Sequence, residues 1–201
     1  MITIGHALLS PPTSVGRALV SIVLTAGFYV LAHAVTAGVV TPLQSYIFPE
    51  ATVFASLLYL PHGVRVVSAW LFRWTALPGL ILGAALSEWL FTDPATLQNL
   101  IPVIILSILI GAISAPLVFE SLRQLGAPAY AKPGSPIDWR ALYTVGIVSS
   151  LLNSVGQMFV FDSMVSPAGA MLILSIYTIG DIFGFLAVKN ILLWIHKLVS
   201  R

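Results

Sequence analysis

Five side chains with the chemistry to recognise something polar stand inside otherwise apolar sequence: His62, Arg65, Asn153, Gln157 and Asp181. An amide or ionisable group in such surroundings is costly unless it is paired, hydrated or bound. Asp181 lies about midway along its run, where an unpaired carboxylate costs on the order of a few kcal/mol. The cations at comparable depth are Arg65 and His62, which predicts an Arg65–Asp181 pair. Asn153 and Gln157 fall four residues apart and share a helical face with Gly146, Ser149 and Gly156, with Ser150 at its margin. That face points inward, either as hydrogen-bonded glue or as a binding surface.

The chemistry this set supports is recognition. With no cysteine, thiol catalysis, disulfides and iron–sulfur ligation are excluded. No cluster has metal-ligand spacing, and there is no Gly-rich phosphate loop and no nucleophile elbow. The sequence therefore predicts no catalytic residue, no metal and no cofactor. His33, alone among apolar neighbours, reads as a satisfied core histidine.

The elements that hold these residues are set by composition. The chain has 201 residues, of which 58% are hydrophobic and only 8% charged. Soluble domains carry about 25% charged residues. The apolar runs are continuous rather than alternating, which predicts an all-α integral membrane protein. One transmembrane domain over residues 1–201 is expected, a bundle of about six helices. The spans are Ala18–Val40, Ala51–Phe72, Ala76–Phe91, Leu100–Phe119, Ala141–Val160 and Ala168–Ile195. A tail at 1–17, loops over Thr41–Glu50 and Thr92–Asn99, a polar loop at 120–140 and a basic tail at 196–201 complete the plan. The second span is expected to break at Pro61-His62-Gly63, because proline removes a backbone donor and glycine weakens the helix.

Charge gives the orientation. With six spans, Arg17, Arg65, Arg73, Arg123, Lys132, Arg140, Lys197 and Arg201 fall towards one side, and Lys189 can snorkel to it. The opposite loops carry only Glu50, Asp93 and Asp162, with Glu88 close by. This positive-inside pattern predicts a cell (inner) membrane protein with both termini cytoplasmic. The dispersed basic residues do not form a nucleic-acid patch. Small residues recur every four positions at Gly79, Gly83 and Ser87, at Ser107, Gly111 and Ala115, and at Gly180 and Gly184. They read as helix-packing faces inside one bundle, with homodimerisation as the alternative.

Two segments resemble a known family. One is Pro61-His62-Gly63, then Arg73-Trp74, then Pro78-Gly79-Leu80-Ile81-Leu82-Gly83; the other is Gly180-Asp181-Ile182-Phe183-Gly184. Together they resemble membrane-associated sensor domains of the MASE type, over about Leu60–Ser87 and Tyr177–Trp194. The family places small or apolar residues where this chain has His62 and Arg65, and a proline near Ile191. The resemblance implies a stand-alone sensor-like module whose output lies on a membrane or cytoplasmic protein partner. The six-span plan with a broken second helix is also similar in architecture to the substrate-binding subunits of energy-coupling-factor transporters. Three roles follow as expectations: a sensor-like module binding a small-molecule ligand or partner, a small-solute transporter or capture subunit, and an accessory assembly subunit. An enzyme is not expected, nor a nucleic-acid partner; the lipid bilayer is.

Overall fold

The computed structural model describes residues 15–47, 56–127, 129–132, 137–161 and 167–199. The tail before Val15, Glu50, Asp162 and Arg201 lie outside the described residues. Helix α1 (Val15–Val35) passes through a π-helical turn (Thr36–Val40) into α2 (Thr41–Ile47). Helix α3 (Leu60–Phe72) is joined by a 3₁₀ turn (Arg73–Thr75) to α4 (Ala76–Phe91). The short α5 (Pro94–Asn99), α6 (Ile101–Gln124), α7 (Trp139–Phe161) and α8 (Pro167–Val199) follow. Five stretches are long and apolar enough to cross a membrane: Val15–Ile47, Leu60–Phe91, Ile101–Gln124, Trp139–Phe161 and Leu174–Ile195.

The second of these stretches folds back on itself. Arg73 takes φ 56°, a left-handed conformation costing a non-glycine residue about 1–3 kcal/mol, and reverses the chain. Leu60 near the start of α3 and Ala84 late in α4 consequently share one buried cluster with Tyr29. Side-chain contacts give the direction of every leg. Gly79 faces Ile22 and Thr25, and Gly83 faces Ala26 and Tyr29, so α1 and α4 run parallel. Tyr29 meets Arg65 while Thr36 meets Leu60, so α3 runs against α1. Gln157 meets Ser107, and Leu142 and Val145 pack with Phe119, so α7 opposes α6. Asn153 meets Asp181 and Gly146 meets Phe185, so α8 opposes α7.

Six alternating legs bring the start of α1 and the end of α8 to the same end of the bundle. That end collects the basic residues. Arg73 lies over the Tyr130 ring at 4.7 Å, and Lys189 donates to the Tyr143 hydroxyl at 2.7 Å. The segment after α6 is docked there: Tyr130 stacks on Phe119, and the Ala131 N–H donates to the Trp70 carbonyl. At the other end Asp93 caps α5, accepting from the Ala95 and Thr96 N–H groups and from the Thr96 hydroxyl, which holds its carboxyl below the ordinary range.

Several boundaries differ from the sequence reading. Thr41–Ile47, expected as loop, is helical, because the π turn lets the helix continue past α1. Pro94–Asn99 is likewise helical under its Asp93 cap. Helix α6 continues beyond Phe119 to Gln124, and α8 to Val199. The expected break at Pro61-His62-Gly63 is a helix start. Pro61 occupies the first turn, where its missing N–H costs nothing. Ser56–Tyr59, before it, is not helical. At 1.5 Å per residue the 13 residues of α3 cover roughly 20 Å of a hydrocarbon layer about 30 Å thick. The second leg thus needs chain before α3, and the described part of that chain is irregular.

Candidate functional site

Irregular backbone inside a membrane bundle persists only where protein satisfies its polar groups. Ser56–Tyr59 meets that condition. The Tyr59 N–H donates to the Gly180 carbonyl at 2.9 Å. The Leu57 N–H donates to Gln44 Oε1 at 2.6 Å, and the Leu60 N–H donates to the Thr36 hydroxyl at 3.3 Å. The segment also lies directly on α8. A Cβ at Gly180 would collide with the Ser56 carbonyl oxygen, and one at Gly184 with the Tyr59 carbonyl oxygen. Gly180 and Gly184 therefore seat a non-helical segment, whereas Gly79 and Gly83 let α4 approach α1 as helix on helix.

Gly111 has a different task from helix packing. A Cβ there would lie 2.5 Å from Arg65 Nη2 and 2.8 Å from Cζ, so the glycine makes room for the guanidinium. Arg65 is 5% exposed. Its Nη2 donates to the Tyr29 hydroxyl at 2.9 Å, which shares a hydrogen bond of 3.2 Å with the Tyr59 hydroxyl. Its Cζ lies 5.6 Å from the Tyr29 ring centre and 5.4 Å from that of Tyr59, within cation–π range. Arg65 Nε and Nη1 have no hydrogen-bond partner among the described residues.

Asp181 belongs to a separate chain of contacts. Its Oδ2 accepts from Asn153 Nδ2 at 2.8 Å and lies 3.4 Å from His62 Nδ1. Gln157 Nε2 donates to Asn153 Oδ1 at 3.2 Å and to the Ser107 carbonyl at 3.1 Å. His62 Nε2 stands 3.1 Å from the Gly146 carbonyl. A carbonyl only accepts, so Nε2 carries a hydrogen. The His62–Asp181 contact is then attractive only with one proton between them, on Nδ1 or on Oδ2. The expected Arg65–Asp181 pair is not formed: no ion pair joins them among the described residues. The tyrosine rings and the Gly111 notch hold Arg65, while His62 and Asn153 take one oxygen of Asp181. Asp181 Oδ1 and Gln157 Oε1 have no partner among the described residues.

Arg65 and Asp181 nevertheless face one space. Both line a cavity of about 280 Å³ whose floor also includes Asn153 and Gln157. These four are buried; Glu88, His33, Thr41 and Tyr177, higher on the wall, are partly exposed. The cavity occupies the half of the bundle away from the basic end. Behind its floor lies a packed apolar cluster including Val66, Trp70, Phe119, Val145 and Phe185. His62 sits behind Asp181 rather than on the cavity wall.

His33 departs from the satisfied core histidine expected of it. It lines the cavity, stacks on Phe91 with ring centres 5.4 Å apart, and its Nδ1 has no described partner. Sequence reasoning missed Tyr29, Tyr59, Tyr177 and Glu88. For the tyrosines the signal was a phenol deep inside an apolar run, a group that seeks a polar partner when buried. Comparisons with family models, with curated proteins and with solved structures find no match.

Proposed function

We propose that this multi-pass membrane protein binds a small polar solute within its bundle and acts as a sensor-like module, its occupancy read by a protein partner at the basic end. The observation that carries this reading is a cavity floor holding a buried guanidinium and a buried carboxylate that do not pair with each other. Each keeps polar atoms without a described partner, and buried groups only partly satisfied in this way are costly in a purely structural role and useful in recognition. The resemblance to MASE-type sensor domains agrees with it, as does the docked segment around Tyr130 as a surface for a partner. Solute capture for a separate transport complex uses the same cavity. The apolar cluster behind the floor favours sensing or capture over passage through this chain alone.

The test is native mass spectrometry of protein in lipid nanodiscs, with thermal unfolding in a metabolite extract. A bound solute, lost in Arg65→Gln, is the expected result. Wild-type protein with neither a bound solute nor a thermal response would sink the reading. Uptake of that solute into proteoliposomes by this chain alone would move the assignment to transport.

The positive-inside pattern supports an inner-membrane location with cytoplasmic termini. The absence of cysteine gives a clean background for checking it. A single Asp93→Cys variant is expected to react with an impermeant maleimide from outside intact cells, and Lys132→Cys only after permeabilisation. Reversed labelling would invert the orientation.

A further inference from the structure

Resting on the solute-binding reading above, we infer that the cavity takes a compact zwitterion of the amino-acid type, its carboxylate on Arg65 and its ammonium on Asp181. The argument is one of donors and acceptors. Arg65 offers Nε and Nη1, both donors without described partners, in a residue 5% exposed. Asp181, 0% exposed, offers Oδ1, and Gln157 offers Oε1, both acceptors without described partners. A ligand that satisfies all of them carries an acceptor group at one end and several N–H donors at the other.

Charge narrows the class. A simple carboxylate would satisfy Arg65 and leave Asp181 Oδ1 and Gln157 Oε1 wanting donors, with Glu88 on the same wall repelling it. A simple amine would leave the guanidinium without an anion. A zwitterion meets both needs and brings no net charge into a poorly solvated space. An apolar ligand would leave all of these atoms unsatisfied, on a wall that also carries the hydroxyls of Ser56, Ser107 and Tyr177. The volume of about 280 Å³ lies just under the usual 300–1,000 Å³ of small-molecule pockets, which limits the ligand to a compact one.

The arrangement also gives each head group its own reporter residue. Arg65 is held by Tyr29 and the Gly111 notch, independently of Asp181, which is held by His62 and Asn153. Altering one should change the preference for one end of the ligand only.

The experiment uses wild-type protein in nanodiscs and reads unfolding temperature and calorimetric heat. The probes are the common L-amino acids one at a time, each matched with the acid lacking its amino group and the amine lacking its carboxylate. At least one amino acid is expected to bind. Its two half-ligands should bind about tenfold to a hundredfold more weakly, the loss of one charged hydrogen-bonding end. Arg65→Gln should bring amino acid and amine to equal affinity, and Asp181→Asn should do so for amino acid and acid. Because the wild-type panel needs no variant, the test survives a variant that fails to fold. Equal binding of a half-ligand overturns the zwitterion. So does a co-purifying solute of another class with no amino acid binding, and that result leaves the solute-binding reading standing. No probe binding and no co-purifying solute overturns both.

Discussion

Gly184→Ala is expected to prevent assembly of the bundle, whereas Gly27→Ala, the same change in another membrane helix, is expected to be tolerated or mildly stabilising. The two positions differ in what a methyl group meets. At Gly184 it would collide with the Tyr59 carbonyl oxygen and lie 3.0 Å from the Leu60 nitrogen; at Gly27 nothing among the described residues lies within 4 Å. Backbone cannot swing aside as a side-chain end can. Separating Tyr59 from α8 would also break its hydrogen bond to Gly180. Overpacking costs about 1–3 kcal/mol, and loss of this hydrogen bond adds to it. At Gly27 the change improves helix propensity by up to about 1 kcal/mol. Monodispersity and unfolding temperature in mild detergent give the comparison. A Gly184→Ala protein as stable as wild type would show that Ser56–Tyr59 does not lie on α8.

The second large effect is expected at Asp181. Asp181→Ala should destabilise by about 3–5 kcal/mol, since it leaves Asn153 Nδ2 and His62 Nδ1 buried without their partner. Asp181→Asn should cost markedly less, because an amide can still accept from Asn153 and meet the imidazole. The partner is identified by double-mutant cycles. His62→Ala with Asp181→Ala should show coupling of about 0.5–3 kcal/mol. Arg65→Met with Asp181→Ala should show less, as the guanidinium is held by Tyr29 and Gly111. A larger coupling for the Arg65 cycle would restore the direct Arg65–Asp181 pair. Denaturant titrations of the purified variants supply the energies.

Much of the architecture was legible because membrane chemistry writes it in long words. Continuous apolar runs marked the legs, and charge alternation placed Arg17, Arg73, Arg123 and Lys189 at one end. The polar stripe on α7 was legible too, since amides in hydrocarbon have to face inward. Three things were not. Ser56–Tyr59 sits in a run as apolar as a helix, and hydropathy does not distinguish helix from extended chain there. Pro61 marks a helix start or a kink equally well, and only the contacts with α8 decide. The four-residue spacing of Gly180 and Gly184 is the same whether the neighbour is a helix or an irregular strand of chain. The wrong pairing of Arg65 followed from counting charges alone. A guanidinium can also be held by phenol rings and a hydroxyl, and the hydroxyl comes from Tyr29, 36 residues before Arg65 in the chain.

The π turn at Thr36–Val40 sets a register. Its first residue, Thr36, accepts from the Leu60 N–H, and downstream of it Gln44 on α2 accepts from the Leu57 N–H. A π turn holds one residue more than the α-helical ladder needs. Deleting a single residue between Ala37 and Val40 would therefore restore regular winding while leaving Gln44 nearly in phase with Leu57 and Thr36 in its place. The extra residue in the first leg thus works as slack: one continuous helix takes up a change of length at that turn and still grips the same bent segment at two points.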